Sequence, residues 1–125
     1  MVDFRLSEEQ VMIRDMAREF CDEEVIPNAE EWDKSGTYPL EAISKAHELG
    51  LLNVTIPEKY GGAGMSTVDE MIICEELSRG DPGFGTASYH TMLASFPILT
   101  GGTEEQKSEY LGRVASGKLA AYCVT

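Results

Sequence analysis

A stretch of twenty residues, Phe84 to Thr103, contains no Asp, Glu, Lys or Arg, although charged residues make up 26% of the chain. An uncharged run of this length either crosses a membrane or is surrounded by protein. Ser88, His90 and several threonines dilute its apolarity, and Pro97 interrupts it. We therefore predict a central helix packed on several sides. The small residues at its start, FGTAS, would let a neighbouring helix or a bound ligand come close.

The sequence before this run carries the start and stop signals of several helices. Ser7 and Ser66 each open a capping pattern, Ser-x-x-Gln and Ser-x-x-Asp. Pro39 suits the first turn of another helix, and Gly50 suits its end. Pro27 lacks an N–H group, so the first helix should kink or pause there.

Apolar residues at helical spacing indicate which faces of these helices point inward. Two columns follow Ser7, and one stripe follows Ser66. The columns are Met12, Met16 and Phe20, and Ile13, Ala17, Cys21 and Val25; the stripe is Val68, Met71, Ile72, Cys74 and Leu77.

A last amphipathic helix begins at the Thr103-x-x-Gln106 cap and ends at Gly117. The seven residues that follow, LAAYCVT (119–125), read as an extended, buried segment. The predicted fold class is therefore all-α with a short extended C-terminal tail. A chain of 125 residues is long enough for one domain.

Charge and cysteine content exclude several function classes. The net charge of -12 argues against nucleic acid and against an anionic membrane surface, because both require clustered Lys and Arg. A basic protein partner is permitted, but a solvated acidic surface is the simpler interpretation. Cys21, Cys74 and Cys123 show neither metal-ligand nor disulfide spacing. Reduced thiols, and an N-terminus unlike a signal peptide, lead us to expect a cytoplasmic protein.

No complete catalytic set emerges from the residues themselves. The glycines of GGAG (61–64) favour a tight turn with positive φ over a phosphate loop, because no Gly-Lys-Ser/Thr follows. We interpret His90 as a hydrogen-bonded core residue in preference to a residue of a ligand site. Glu75 and Glu76 are adjacent on a helix and point about 100° apart, so they should not form an acid–base pair. We expect no metal site.

Four stretches together resemble the N-terminal part of acyl-CoA dehydrogenases, with the medium- and short-chain branch as the nearest likeness. They occur in the family's order and spacing and cover essentially the whole chain. They are EEVIPNAEEWDKSGTYP (23–39), ELGLLNVTIPEKYGGAGMS (48–66), EELSRGDPG (75–83) and TEEQKSEYLGRVASGKLAAYCVT (103–125).

The resemblance implies a part of a flavin-dependent enzyme that oxidises acyl-CoA thioesters to 2,3-enoyl-CoA and passes electrons to an electron-transferring flavoprotein. Residues 1–118 would form its N-terminal α-helical domain, and residues 119–125 the first strand of a missing middle β domain. The family's catalytic glutamate lies in a C-terminal domain, so no residue here is assigned as catalytic. Family members are commonly homo-oligomers.

The resemblance also implies site residues. Tyr122, Val124 and Thr125 match positions along the flavin ring, at the start of a run that continues beyond this chain in the family. We expect the chain alone not to retain FAD. Two alternatives stay open: an acidic helical interaction module without catalysis, and an acyl-CoA oxidase of the same fold. Positions that match the family's substrate pocket are Gly85, Thr86, Tyr89, His90 and Leu93.

Overall fold

The structure, a computed structural model, describes residues 4–124, and these fold entirely into helices and loops. A π-helical segment (Cys21–Val25) joins the first two helices, and a short 3-10 turn (Glu58–Tyr60) lies between the third and the fourth. No strand occurs in the described range, which confirms the all-α prediction. The six α-helices are α1 (Glu8–Phe20), α2 (Ile26–Ser35), α3 (Leu40–Glu48), α4 (Thr67–Gly80), α5 (Pro82–Gly101) and α6 (Glu104–Ala115).

Three helices begin at the capping patterns that the sequence predicts. At α1, the backbone N–H of Gln10 donates to Ser7 Oγ at 3.1 Å, and the N–H of Ser7 donates back to Gln10 Oε1 at 3.1 Å. The same reciprocal pair forms at Ser66 before α4 and at Thr103 before α6. Each box satisfies N–H groups that the first helical turn leaves without a partner.

Pro27 does not interrupt the first helical run. The chain instead widens into the π-helical segment, where the N–H of Ile26 donates to the carbonyl of Cys21, and Pro27 then falls in the first turn of α2. A proline is tolerated in a first turn because its missing N–H leaves no gap in the ladder there. In place of the expected kink, the hydrogen bonding changes from α-helical to π-helical just before Pro27.

The main core lies where α4 packs between α1 and α5. Of the two apolar columns on α1, the one through Ala17 and Cys21 is buried, whereas Met12 of the other is 64% exposed. The predicted stripe on α4 was wrong in part, because Val68 and Met71 are exposed. The buried face of α4 instead consists of Glu70, Ile73, Glu76 and Leu77. Carboxylates occupy this face because they find hydrogen-bond partners inside the fold.

A second, smaller core joins α5 and α6 to the loop after α3. Ile56, Tyr60, Met92, Leu111 and Val114 form this cluster. The loop contains the predicted glycine turn, and Gly61 and Gly64 adopt φ of 87° and 62°, so the expectation of positive φ is confirmed. Among the helices of residues 4–124, none combines the length and the apolarity that crossing a bilayer requires.

Glu76 links the first helical run to α4 by ion pairs. Its buried carboxylate accepts from Arg18 Nε at 3.0 Å and from Arg79 Nε at 3.2 Å. Arg79 also binds Asp22 of the π-helical segment at 2.6 Å. The hydrogen bond from Arg18 lowers the pKa of Glu76 below its usual value. The ionised form of Glu76 therefore contributes to the free energy of unfolding.

We predict that Glu76→Gln lowers the free energy of unfolding by about 1–3 kcal/mol at pH 7, the range for losing hydrogen bonds to a charged group. Because the pKa is lowered in the folded state, this stabilisation is present above the unfolded pKa of about 4.3 and is lost as pH falls through the folded pKa. Urea unfolding at pH 7 and below pH 4 measures the difference in the free energy of unfolding between the original chain and Glu76→Gln. This difference should be smaller in acid. Glu75→Gln, at an exposed neighbour, is the control. Equal stability of the two variants at pH 7 would contradict this role.

Candidate functional site

The start of α5 is fixed by one cap and one aromatic cluster. The Asp81 carboxylate accepts from the N–H groups of Gly83 at 3.2 Å and Phe84 at 2.7 Å. The buried Phe84 ring stacks on Trp32 with centroids 5.6 Å apart and contacts Phe20 at 6.2 Å. These contacts set the rotation of α5 about its own axis, and hence which residues it presents outward.

α5 has a buried face and an exposed face, and neither carries a charged residue. Leu93 is 44% exposed and Phe96 is 59% exposed on the outer face. A central helix packed on several sides was expected, and within the described chain one side of α5 remains uncovered. Contiguous apolar surface of this kind marks an interaction or ligand site. The exposed residues of α5 within the uncharged stretch include Thr86, Leu93, Phe96, Pro97 and Thr100.

Three of the five predicted pocket residues lie along this exposed side. Thr86, His90 and Leu93 follow the i, i+4, i+7 spacing of one helix face. His90 is partly buried, and its ring meets the Tyr38 ring edge-on with centroids 6.2 Å apart. The Tyr38 hydroxyl donates to the carbonyl of Ala87 at 3.4 Å, and burial raises the pKa of Tyr38. His90 is therefore a partly buried residue with an aromatic neighbour, and not the hydrogen-bonded core histidine that the sequence suggested.

Gly85 lies on the other side of α5, against α4. A Cβ atom at this position would approach the Ser78 side chain to within 2.9 Å of its Cβ and 3.0 Å of its Cα. The room left by the missing side chain is thus filled by α4. Gly85 allows the two helices to approach closely, and it does not open space on the exposed face.

Tyr89, one turn after Gly85, also faces α4. It lines a small cavity of about 20 Å³ together with Glu70 and Cys74. The Glu70 carboxylate accepts from the Thr55 hydroxyl at 3.3 Å, and burial raises the pKa of Glu70. Burial also raises the pKa of Tyr89. Gly85 and Tyr89 are four residues apart, and both lie on the side of α5 toward α4.

The C-terminal tail is held beside α5 by one buried hydroxyl. Thr91 Oγ accepts from the N–H of Ala120 and donates to the carbonyl of Ala120, both at 3.4 Å. Beyond this tether the tail is exposed, with Tyr122 at 49% and Val124 at 71%. The expected burial of the tail is therefore not found in the described residues, and Thr125 lies outside them.

The sequence did not single out Thr91 or Tyr38 as parts of this site. Thr91 sits next to His90 in the uncharged stretch, and only the fold brings the main chain of Ala120 to it. Tyr38 lies in a loop before α3, and its contact with α5 spans 49 residues of chain. No local pattern encodes such contacts. Within residues 4–124, no group of three or more His, Cys, Asp and Glu is placed to hold a metal ion.

Comparison with known proteins shows where this arrangement recurs. A family model described as acyl-CoA dehydrogenase, N-terminal domain, matches residues 7–118. The probable medium-chain specific acyl-CoA dehydrogenase 2, mitochondrial, of Caenorhabditis briggsae is 45% identical over 125 residues, which cover 99% of this chain and 31% of that protein.

Solved structures give the same result at the level of the fold. A chain in the structure of the electron transferring flavoprotein of Acidaminococcus fermentans matches with a TM-score of 0.84 at 42% identity, covering 93% of this chain and 31% of that one. Butyryl-CoA dehydrogenase from Megasphaera elsdenii matches with a TM-score of 0.82 at 32% identity, covering 94% of this chain and 32% of its own. The chain thus spans about a third of the length of these relatives.

The packing role of Gly85 is tested by giving it a side chain. We predict that Gly85→Ala lowers the free energy of unfolding by about 1–3 kcal/mol, because the new methyl group overlaps Ser78. The double variant Gly85→Ala/Ser78→Gly should recover part of this loss. Gly101→Ala is the matched control, because a Cβ there meets nothing within 4 Å. Thermal unfolding that shows no difference between Gly85→Ala and Gly101→Ala would rule out the close approach.

Proposed function

The chain belongs to the acyl-CoA dehydrogenase family through its N-terminal helical domain, and from this we propose that it forms one wall of the substrate pocket of a flavin-dependent enzyme. The proposed reaction is the oxidation of an acyl-CoA thioester to the 2,3-enoyl-CoA. The observation that carries the proposal is the uncovered, uncharged side of α5 in a chain with a net charge of -12.

The chemistry of this side of α5 supports an aliphatic ligand. An acyl chain binds where apolar side chains exclude water, with a few polar groups that fix its orientation. Leu93 supplies an apolar side chain, and Thr86 and His90 supply polar groups along the same line. Of the other two pocket candidates, Gly85 would contribute through helix spacing and Tyr89 from the side toward α4.

The free main-chain groups of the C-terminal tail support a cofactor-binding position at the edge of this pocket. In the proposed enzyme, bound FAD supplies the acceptor for the hydride that leaves the β-carbon of the substrate. Tyr122, Val124 and Thr125 would lie along its ring. Apart from the Ala120 pair with Thr91, the main chain of residues 119–124 makes no hydrogen bond within the described range, so its N–H and C=O groups are free to meet a ring system. The main chain of residues 119–124 therefore fits a bound FAD.

The proposal extends to the electron acceptor and the assembly. We propose an electron-transferring flavoprotein as the acceptor and a homo-oligomer as the working form. An oxidase of the same fold would pass the electrons to oxygen instead. Cys21, Cys74 and Cys123 are free thiols, which fits a reducing compartment such as the cytoplasm.

The experiment that tests the proposal expresses the full reading frame that encodes this chain. Purified protein should be yellow, and an acyl-CoA should bleach its flavin absorbance anaerobically, whereas residues 1–125 alone should hold no stoichiometric FAD. Leu93→Asp should lower kcat/KM about tenfold or more, because a buried charge against the acyl chain is unfavourable. Leu93→Met is the matched control.

Three results would contradict the proposal. They are a colourless full-length protein, a reading frame that ends at Thr125, which would favour an interaction module, and Leu93→Asp with unchanged kinetics. Rapid oxygen consumption without reduction of an electron-transferring flavoprotein would identify the oxidase instead.

Tyr89 leads to a prediction about acyl chain length. We propose that its rigid ring closes the inner end of the pocket and limits the acyl chain to short or medium length. In the full-length enzyme, Tyr89→Ala should shift kcat/KM toward longer acyl-CoAs by about fourfold per methylene accepted, from about 0.8 kcal/mol of burial each. Tyr89→Phe keeps the ring and should keep the profile. An unchanged chain-length profile with a lower Tm would make Tyr89 a packing residue of the α4 contact.

A further inference from the structure

Thr91 differs from the other serine and threonine residues of α5 in what its hydroxyl group binds. Such side chains in helices commonly bond a carbonyl one turn earlier in the same helix. The buried hydroxyl of Thr91 instead bonds the main chain of Ala120, 29 residues further along the chain. This contact calls for an explanation outside the helix. The other four hydroxyls donate within α5: Thr86 to Pro82 at 2.9 Å, Ser88 to Gly85 at 2.9 Å, Ser95 to Thr91 at 2.9 Å and Thr100 to Phe96 at 3.0 Å.

The bond between Thr91 and the tail is a double one. The hydroxyl accepts from the N–H of Ala120 and donates to the C=O of the same residue, both at 3.4 Å. In an extended chain the N–H and C=O of one residue point to the same side, and those of the next residue point to the other side. Each bond is long, so neither is strong alone. Together they define the orientation of Ala120 as well as its position.

The turn after α6 fixes the tail at a second point. The N–H of Gly117 donates to the carbonyl of Val114 at 2.9 Å, and the N–H of Lys118 donates to the carbonyl of Arg113 at 3.1 Å. Gly117 has a φ of 92°, and a Cβ atom there would lie 2.8 Å from Cδ2 of His47. The turn therefore packs directly on the imidazole ring. Between this turn and the tether at Thr91 the chain has only two residues, which leaves it little slack.

The tether acts close to the residues proposed to meet the flavin. An extended chain advances about 3.3 Å per residue, so Tyr122 lies within about 7 Å of Ala120 along the chain. Residues 121–124 make no main-chain hydrogen bond within the described range. A slip of one residue would exchange the groups on the two sides of the tail. The double bond to Thr91 therefore sets the register of the residues that follow it.

We propose that Thr91 is a positioning residue for the flavin. Its hydroxyl fixes the direction and register of the tail before FAD binds, so that the main chain around Tyr122 and Val124 is already placed for the ring. A binding segment that is ordered in advance loses less entropy when its ligand arrives. Thr91 itself contacts neither flavin nor substrate in this arrangement. The inference rests on the proposed function, because it requires a flavin beside the tail.

The tether itself is tested in the 125-residue chain by amide hydrogen exchange, followed by NMR. The N–H of Ala120 should exchange more slowly, relative to its intrinsic rate, than the N–H of Ala121, which has no partner within the described residues. Thr91→Val keeps the branched shape of the side chain and removes the hydroxyl, so the protection of Ala120 should be lost. Thr91→Ser keeps the hydroxyl and should keep the protection.

The positioning role is tested in the full-length protein by removing FAD and titrating it back. Thr91→Val should weaken FAD binding about tenfold, as expected when two neutral hydrogen bonds are lost. The visible circular dichroism of the bound flavin should change. At saturating FAD, kcat should fall about tenfold or more, because a displaced acceptor slows hydride transfer, whereas KM for the acyl-CoA should change less than about twofold. Thr91→Ser should restore all three properties.

Ser95→Ala is the matched control for a loss of stability. Ser95 is fully buried in α5, one turn after Thr91, and its hydroxyl bonds only within the helix. The variant therefore removes a buried hydroxyl from the same helix without touching the tail. It should lower Tm to a similar extent as Thr91→Val. The FAD affinity and the circular dichroism of the flavin should stay as they are in the original protein.

Three results would overturn the role of Thr91. The first is an Ala120 N–H in the original chain that exchanges as freely as that of Ala121. The second is a yellow, active full-length protein whose Thr91→Val variant keeps its FAD affinity, its flavin spectrum and its kcat. The third is a Ser95→Ala variant that shows the same flavin changes as Thr91→Val. A colourless original full-length protein would instead refute the proposed function, and this inference with it.

Discussion

The close approach of α4 to its neighbours is the constraint on which the other parts of the structure depend. Near its C-terminal end, Gly80 packs against the π-helical segment, where a Cβ would overlap Sγ of Cys21 and lie 3.1 Å from Cγ1 of Val25. On the adjoining side, Gly85 of α5 packs on Ser78 of α4. Interiors are packed as densely as organic crystals, so contacts this close leave the helices little freedom to rotate or slide.

The rotation of α5 follows from this contact. With Gly85 turned toward α4, the helical repeat of about 100° per residue places Thr86 about 100° and Leu93 about 80° around the axis from it, and both side chains are exposed. An acidic protein would ordinarily place charged residues on such an outward face. The absence of charge there is the reason to propose that a ligand or a covering domain lies on this face.

Thr91 connects the two parts of the proposed site. Its side chain is buried in α5, yet its hydroxyl is bonded to the main chain of Ala120. The residues proposed to meet the flavin follow two positions later. In the proposed enzyme, this one hydroxyl group would couple the position of the cofactor to the position of the substrate wall.

Local signals in the sequence determined the secondary structure closely. The caps at Ser7, Ser66 and Thr103 and the glycine turn at Gly61 were predictable, because each depends on residues within a few positions of one another. The family resemblance was likewise carried by the sequence alone. For the candidate site, the sequence predicted five residues on α5, and three of them, Thr86, His90 and Leu93, share its outer face.

Only the tertiary structure decided which faces are buried. Periodicity placed Val68 and Met71 inward and could not foresee that Glu76 would be buried instead, because its partner Arg18 lies 58 residues away in the chain. The same holds for the orientation of Gly85 and for the tether at Thr91. Sequence by itself determined the helices, since their hydrogen bonds are local. The site was decided by tertiary packing, since its groups meet only when distant segments do.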